Sequence, residues 1–309
     1  MPHSFNDFNI QISNMKDTIP TQPLLKKLLL KYLSLAFFGA LILVSIKSTA
    51  QGDLLLYPKR IVFEGAKRSQ TLNIANNGKD TARYFISVVQ MKMKEDGSFE
   101  TISQPDSGQD FADKNFRFFP RNVVLAPNEA QSVKIQLVNT NDMLPGEYRS
   151  HIYFRAEADK KPLGEKDAIQ DSGSISVNVI AVFGISIPVI IRVGESTTQV
   201  TITNASLQWN KDSVPSLKVD FNRSGNMSVY GDIAVDHISP EEKITRIGVA
   251  KGMALYTPNT IRHFNLLLDN KTGVDFRTGK LRVAYTTQPE AKSMKMAETE
   301  LELKRFFYN

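Results

Sequence analysis

The sequence predicts an all-β chain built as two sandwiches in tandem, and three observations carry that expectation. Short segments alternate polar and apolar residues with period two, as in Ser132-Val133-Lys134-Ile135-Gln136-Leu137, the pattern of a strand with one buried face. Clusters of Asn, Asp, Gly and Pro separate these segments at short intervals. After residue 50 no segment sustains the 3.6-residue period of an amphipathic helix.

Ahead of the β region lies a different kind of segment. Lys26, Lys27 and Lys31 precede an apolar run of 15 residues, 32–46, and Ser48 and Ala50 supply a small-x-small end. These are the parts of a secretory signal peptide, and the run is shorter than the roughly 20 residues of a spanning helix. Cleavage after Ala50 and a periplasmic location are therefore expected, with an inner-membrane anchor over residues 32–46 as the alternative. The first 25 residues are polar and unlike an ordinary signal start. Either Met15 is the initiator or they form a cytoplasmic extension.

Strands of the first domain are expected at residues 55–63, 70–75, 84–93, 132–137, 147–155 and 174–193, with turns at 76–79, 96–98, 127–129 and 145–147. About seven strands in roughly 140 residues is the count of an immunoglobulin-like sandwich. A second set is expected at 200–203, 207–209, 217–221, 229–235, 244–250, 262–268, 280–286 and 299–303, enough for another sandwich. The boundary falls at Gly194-Glu195-Ser196. This gives an N-terminal extension and signal over residues 1–50, one sandwich over 51–194 and another over 195–309. So short a connection predicts a fixed angle between them.

Composition narrows the function. With 41% apolar and 23% charged residues in 309, neither wholesale disorder nor a polytopic membrane protein is expected. The chain has no cysteine, which excludes disulfides, thiolate metal sites and cysteine nucleophiles. Four scattered histidines, His3, His151, His237 and His263, offer little for an imidazole metal site. Without residues 1–50, five Lys and two Asp are lost, leaving 33 basic against 30 acidic residues, a net +3. That is too little for a strong nucleic-acid role. No G-x-S-x-G, P-loop or dinucleotide fingerprint occurs. His151, His237 and His263 are expected at outward strand positions, and Trp209 in the core of the second domain. The expectation is a binding protein with no enzymatic activity, no cofactor, no metal and no small-molecule substrate.

Four segments in order carry a resemblance. Residues 57–65 place Arg60 before Ile61-Val62-Phe63 and the pair Glu64-Gly65. Residues 69–76 form an alternating strand. Residues 120–135 contain Pro120, then Leu125, Pro127, Gln131 and Val133, and residues 146–154 begin Gly146-Glu147-Tyr148-Arg149. Together they resemble the first domain of the periplasmic pilus-assembly chaperones of the PapD-like family; the second domain is similar only in length and strand rhythm.

The resemblance implies a chaperone that binds and caps pilus, fimbria or other envelope subunits by donor-strand complementation. Backbone pairing along an exposed edge supplies affinity, and alternate side chains fill the client's groove. The implied partners are a pilin-like or other secreted envelope subunit and an outer-membrane usher. A structural or adhesive envelope protein reusing the same fold is the alternative. The donor would be the long strand over residues 174–192, with Val177, Val179, Ala181, Phe183 and Ile185 facing the client and the opposite parity facing the domain's own core. An alignment slipped by one residue moves the client-facing role to Val182 and Ile180. Pro188 cannot donate to a ladder, so the strand is expected to be an edge or bulged there. The family's client-terminus clamp implies roles for Arg60 and Arg192. Its lysine position falls at Pro188, and the acid expected to pair with Arg192 falls at Arg149.

Overall fold

The computed structural model describes residues 54–157, 183–210, 213–287 and 294–303. The signal segment, its cleavage site and the first nine residues of the expected donor strand, 174–182, including Val177, Val179 and Ala181, lie outside them. Residues Gln51–Asn309 form one compact unit. The described part is all-β: two immunoglobulin-like sandwiches with no helix.

The first sandwich faces two sheets. One has the order β1 (Leu54–Tyr57), β3 (Ser69–Asn76), β9 (Ala130–Leu137), β7 (Phe116–Phe119). The other runs β2 (Ile61–Phe63), β11 (Gly184–Val193), β10 (Gly146–Ala156), β4 (Ala82–Val89), β8 (Asn122–Leu125). Residues 55–63, expected as one strand, are two. The run breaks at Pro58, β1 pairs with β3, and β2 crosses to the other sheet to lie parallel to β11. The expected strand over 84–93 also divides. β4 ends at Val89, and the chain turns into a separate hairpin of β5 (Met91–Met93) and β6 (Phe99–Thr101).

Period-two alternation builds the core as expected. Leu72 and Ile74 of β3 and Val133 and Ile135 of β9 face Ile86, Ile152, Phe154, Val189 and Ile191 of the other sheet, all buried. Each such side chain contributes about 1.5–3 kcal/mol by leaving water. β7 and β8, four residues each, were not anticipated.

In the second sandwich, β12 (Gln199–Trp209), β13 (Pro215–Ser224) and β16 (Ile261–Leu267) form one sheet. β15 (Ile244–Leu255), β14 (Val229–Ile238), β17 (Lys280–Thr287) and β18 (Lys295–Glu302) form the other. The two short strands expected at 200–203 and 207–209 are one strand, β12, bulged between Thr203 and Ser206. Asn204 takes the left-handed conformation there, φ 51°, one that Asn tolerates better than most residues. Trp209 is not a core residue. It is the last residue of β12, 53% exposed, and stands edge-on to Phe276 at the margin of the core, centroids 5.7 Å apart.

Candidate functional site

Two features built on β11 and β10 carry functional character, an open edge and a buried junction between the sandwiches. The edge follows from the register. β10 and β11 pair without a bulge from Gly146–Val193 to Arg155–Gly184. Ala156 N–H donates to Phe183 O at 3.0 Å. Antiparallel ladders alternate, so residues 185, 187, 189 and 191 point their backbone groups at β10, whereas Gly184, Ser186 and Pro188 point theirs away. On that far side β2 begins only beside Val189. Among the described residues, no strand pairs with Gly184–Pro188 there. Pro188 opposite His151 therefore costs the ladder nothing, and the strand is an edge at this point, not a bulge.

Side-chain parity differs from expectation. The parity assigned to a client is, from Ile185 to Ile191, the one that faces the domain's own core. Ile187, Val189 and Ile191 are buried in it, and Ile185 packs against it partly buried. Phe183, on the same row, is 51% exposed. A single apolar row thus runs out of the core and becomes accessible at Phe183. On the opposite face Tyr153 lies across Gly184, and a Cβ there would have to push that ring aside.

The junction collects the outward-facing residues of β10. Glu147, Arg149 and His151 occupy alternate positions on the outer face, yet all are buried, at 4%, 2% and 3% exposure. His151 takes the outward strand position expected of it, but the second sandwich and the β5–β6 hairpin cover this face. Phe99 of the hairpin stands edge-on to His151, centroids 5.8 Å apart. A small apolar cluster of Met93, Ile190, Ala254 and Tyr256 seals the same region. Burial first, and then the Arg149 charge, push the His151 imidazole down to about 3, so it is neutral.

Glu147 is the centre of this junction. It lies directly opposite Arg192 in register and accepts from Arg192 Nε at 3.1 Å. It also accepts from the backbone N–H of Ser228 at 3.0 Å and from the Ser228 hydroxyl. The acid paired with Arg192 is thus Glu147, two residues before the position the resemblance indicated. One full pleat separates the two, and both lie on the same face. Arg192 also donates Nη1 to Glu64 at 2.6 Å and Nη2 to the Ser228 carbonyl at 2.7 Å. Burial works against its charge, but Glu147 and Glu64 together hold Arg192 above the ordinary arginine value.

Arg149 donates Nη2 to the Thr257 carbonyl at 3.0 Å and stacks on Tyr256, 4.3 Å from the ring centroid. Burial pushes it below the ordinary arginine value, with Glu147 opposing. Arg60 stacks on Tyr230 of the second sandwich at 4.1 Å, and its Nε has no hydrogen-bond partner among the described residues. Arg60 and Arg192 are therefore both brought to the junction, in different states: Arg192 has all three nitrogens engaged and Arg60 does not.

Of the other histidines, His237 differs from expectation and His263 agrees with it. His237 is buried, with Nε2 3.0 Å from the Thr278 carbonyl. His263 faces outward but between two carboxylates, Asp220 and Glu95. Among the described residues, no cluster of three His, Asp or Glu is placed to hold a metal ion.

No family model matches the chain, and no curated protein matches it. Solved structures do. Pilus chaperones align along four fifths of the chain. The YadV chaperone shares 11% identity over 82% of this chain and all of its own, with a TM-score of 0.40. The CupB2 chaperone of Pseudomonas aeruginosa shares 12% over 81% and all of its own, TM-score 0.39. The Salmonella enterica SafB chaperone, solved in complex with the SafA pilin, shares 14% over 81% and 96% of its own, TM-score 0.36. At these identities and scores, the functional reading rests on the chain's own edge and junction.

Proposed function

We propose that this chain is a periplasmic assembly chaperone that caps subunits of an envelope fibre by offering them the open edge of β11. The observation that carries the reading is the edge itself: Gly184 and Ser186 present backbone groups that no described strand pairs with, beside an apolar row that emerges from the core at Phe183. An exposed edge with apolar side chains is an aggregation hazard unless it has a partner. A subunit lacking one strand needs such an edge to hide its own groove. Val177, Val179 and Ala181 would extend the Phe183–Ile185 row toward such a client.

Arg60 is the cation we assign to the client's terminal carboxylate, since it stacks on Tyr230 and, among the described residues, no ion pair engages its guanidinium. Arg192 we assign to holding the two sandwiches together, because its three nitrogens are already engaged. Binding requires no cofactor and no catalytic step. Export of the mature chain from Gln51 and hand-over to an outer-membrane usher belong to the same proposal.

The test is capture of envelope proteins by the tagged chain and by its Phe183→Asp variant. The variant should melt at the same temperature and lose the co-purifying subunit. Equal recovery by both proteins would overturn the reading, and a tight homo-oligomer with no other partner would favour a structural envelope protein.

A further inference from the structure

The β5–β6 hairpin leaves the first sandwich and ends on the edge of the second. Its Met93 carbonyl accepts from Asn259 Nδ2 at 2.8 Å, and its Glu95 carbonyl accepts from His263 N–H at 2.7 Å. β16 is the outer strand of its sheet, with β13 on its other side. Arg223 N–H donates to Thr260 O across that ladder, so its alternation turns the His263 N–H away from β13. The hairpin therefore covers a donor of an open strand edge. Gly97, φ +85°, lets the turn approach: a Cβ there would stand 2.3 Å from the Arg262 guanidinium.

The side chains repeat the link. His263 Nδ1 lies 2.6 Å from Asp220 Oδ1 on β13, and Nε2 lies 3.5 Å from Glu95 Oε2 on the hairpin. A charged imidazole donates from both nitrogens, whereas a neutral one donates from one and turns a lone pair toward the other carboxylate.

We propose that the β5–β6 hairpin is a proton-latched cover over the β16 edge, held more tightly while charged His263 joins Asp220 to Glu95 and loosened when His263 becomes neutral. The other charged groups on the packed elements are Lys92, Lys94, Asp96 and Glu100 of the hairpin, Lys218 and Arg223 of β13 and Arg262 of β16. Lys92 pairs with Asp106, and Arg223 donates to the Asn259, Gly225 and Met227 carbonyls. Asp96 is taken by Ser98, and Arg262 donates to the Ala254 carbonyl. The Asp220 hydrogen bond, aided by Glu95, raises His263 above its ordinary 6.5. A raised histidine value places the latch fully on below 6.5 and loses it as pH climbs through the raised value.

Amide hydrogen exchange tests this on the full chain. Between about pH 5.5 and 8, the protection factor of the His263 amide, corrected for intrinsic exchange, should fall about two- to fivefold, the range an exposed ion pair accounts for. The Leu268 amide, bonded to Pro215 O away from the hairpin, should not change. His263→Gln, at an exposed position, should give low protection at both pH values, and Glu95→Gln should shrink the response. A flat wild-type profile, a pH response that survives in His263→Gln, or a Glu95→Gln profile equal to wild type would each overturn the proposal.

Discussion

Glu147 and His151 sit two pleats apart on one strand, and each makes a quantitative prediction. Glu147 accepts three hydrogen bonds at 4% exposure, so Glu147→Gln leaves buried Arg149 without its neighbouring counter-charge and Arg192 with Glu64 alone. Breaking a buried pair from one side costs about 3–5 kcal/mol. Urea denaturation should show a loss of that order, with the slope unchanged. His151 behaves oppositely to His263. Its value is depressed to about 3, so between 6.5 and 3 the unfolded chain binds the extra proton. Stability conferred by neutral His151 is complete above about 6.5 and declines by about 1.4 kcal/mol per pH unit as pH falls toward 3. In His151→Gln that acid limb should be flatter, read as denaturation midpoints at about pH 6.5 and 4. The sequence hides these roles. Glu147, Arg149 and His151 follow the period-two pattern of a solvent-facing row, and only the second sandwich and the hairpin, distant in sequence, turn that face into an interior. Arg60 was legible because it precedes a recognisable apolar run.

β11 shows what a single strand can be asked to do. Its ladder parity separates two kinds of backbone position that the sequence cannot tell apart. Ser186→Pro removes a donor that points away from β10, so the protein should still fold but lose client capture. Ile187→Pro removes a donor that β10 uses, in a side chain 4% exposed, and should unfold the first sandwich. Circular dichroism melts and co-purification on the pair separate the outcomes; loss of folding in both would show that the outer side of β11 is also paired. That Pro188 marks an edge or a bulge was legible because proline carries its own backbone signature; the unbroken register with β10 decides for the edge. The direction of the side chains was not, since an uninterrupted apolar run has no polar phase to mark which face is core. Breaks at Pro58 and after Val89 were likewise invisible to a reading that joined every neighbouring apolar segment.

At the scale of the molecule, strand rhythm and turn clusters were sufficient to anticipate two sandwiches, because alternation and turn chemistry are local. The junction was not, because it is assembled from residues of both sandwiches: Glu147 with Ser228, Arg149 with Thr257, Arg60 with Tyr230. The central claim is that the open side of β11 receives a strand from another protein. A photo-crosslinking residue placed at Phe183 in living cells tests it most directly, with the same residue at Val124, exposed on the far edge strand β8, as the control. Our account predicts that Phe183 crosslinks to an extended segment of an envelope-fibre subunit and that Val124 does not. Crosslinks from Phe183 confined to this chain's own residues would contradict it.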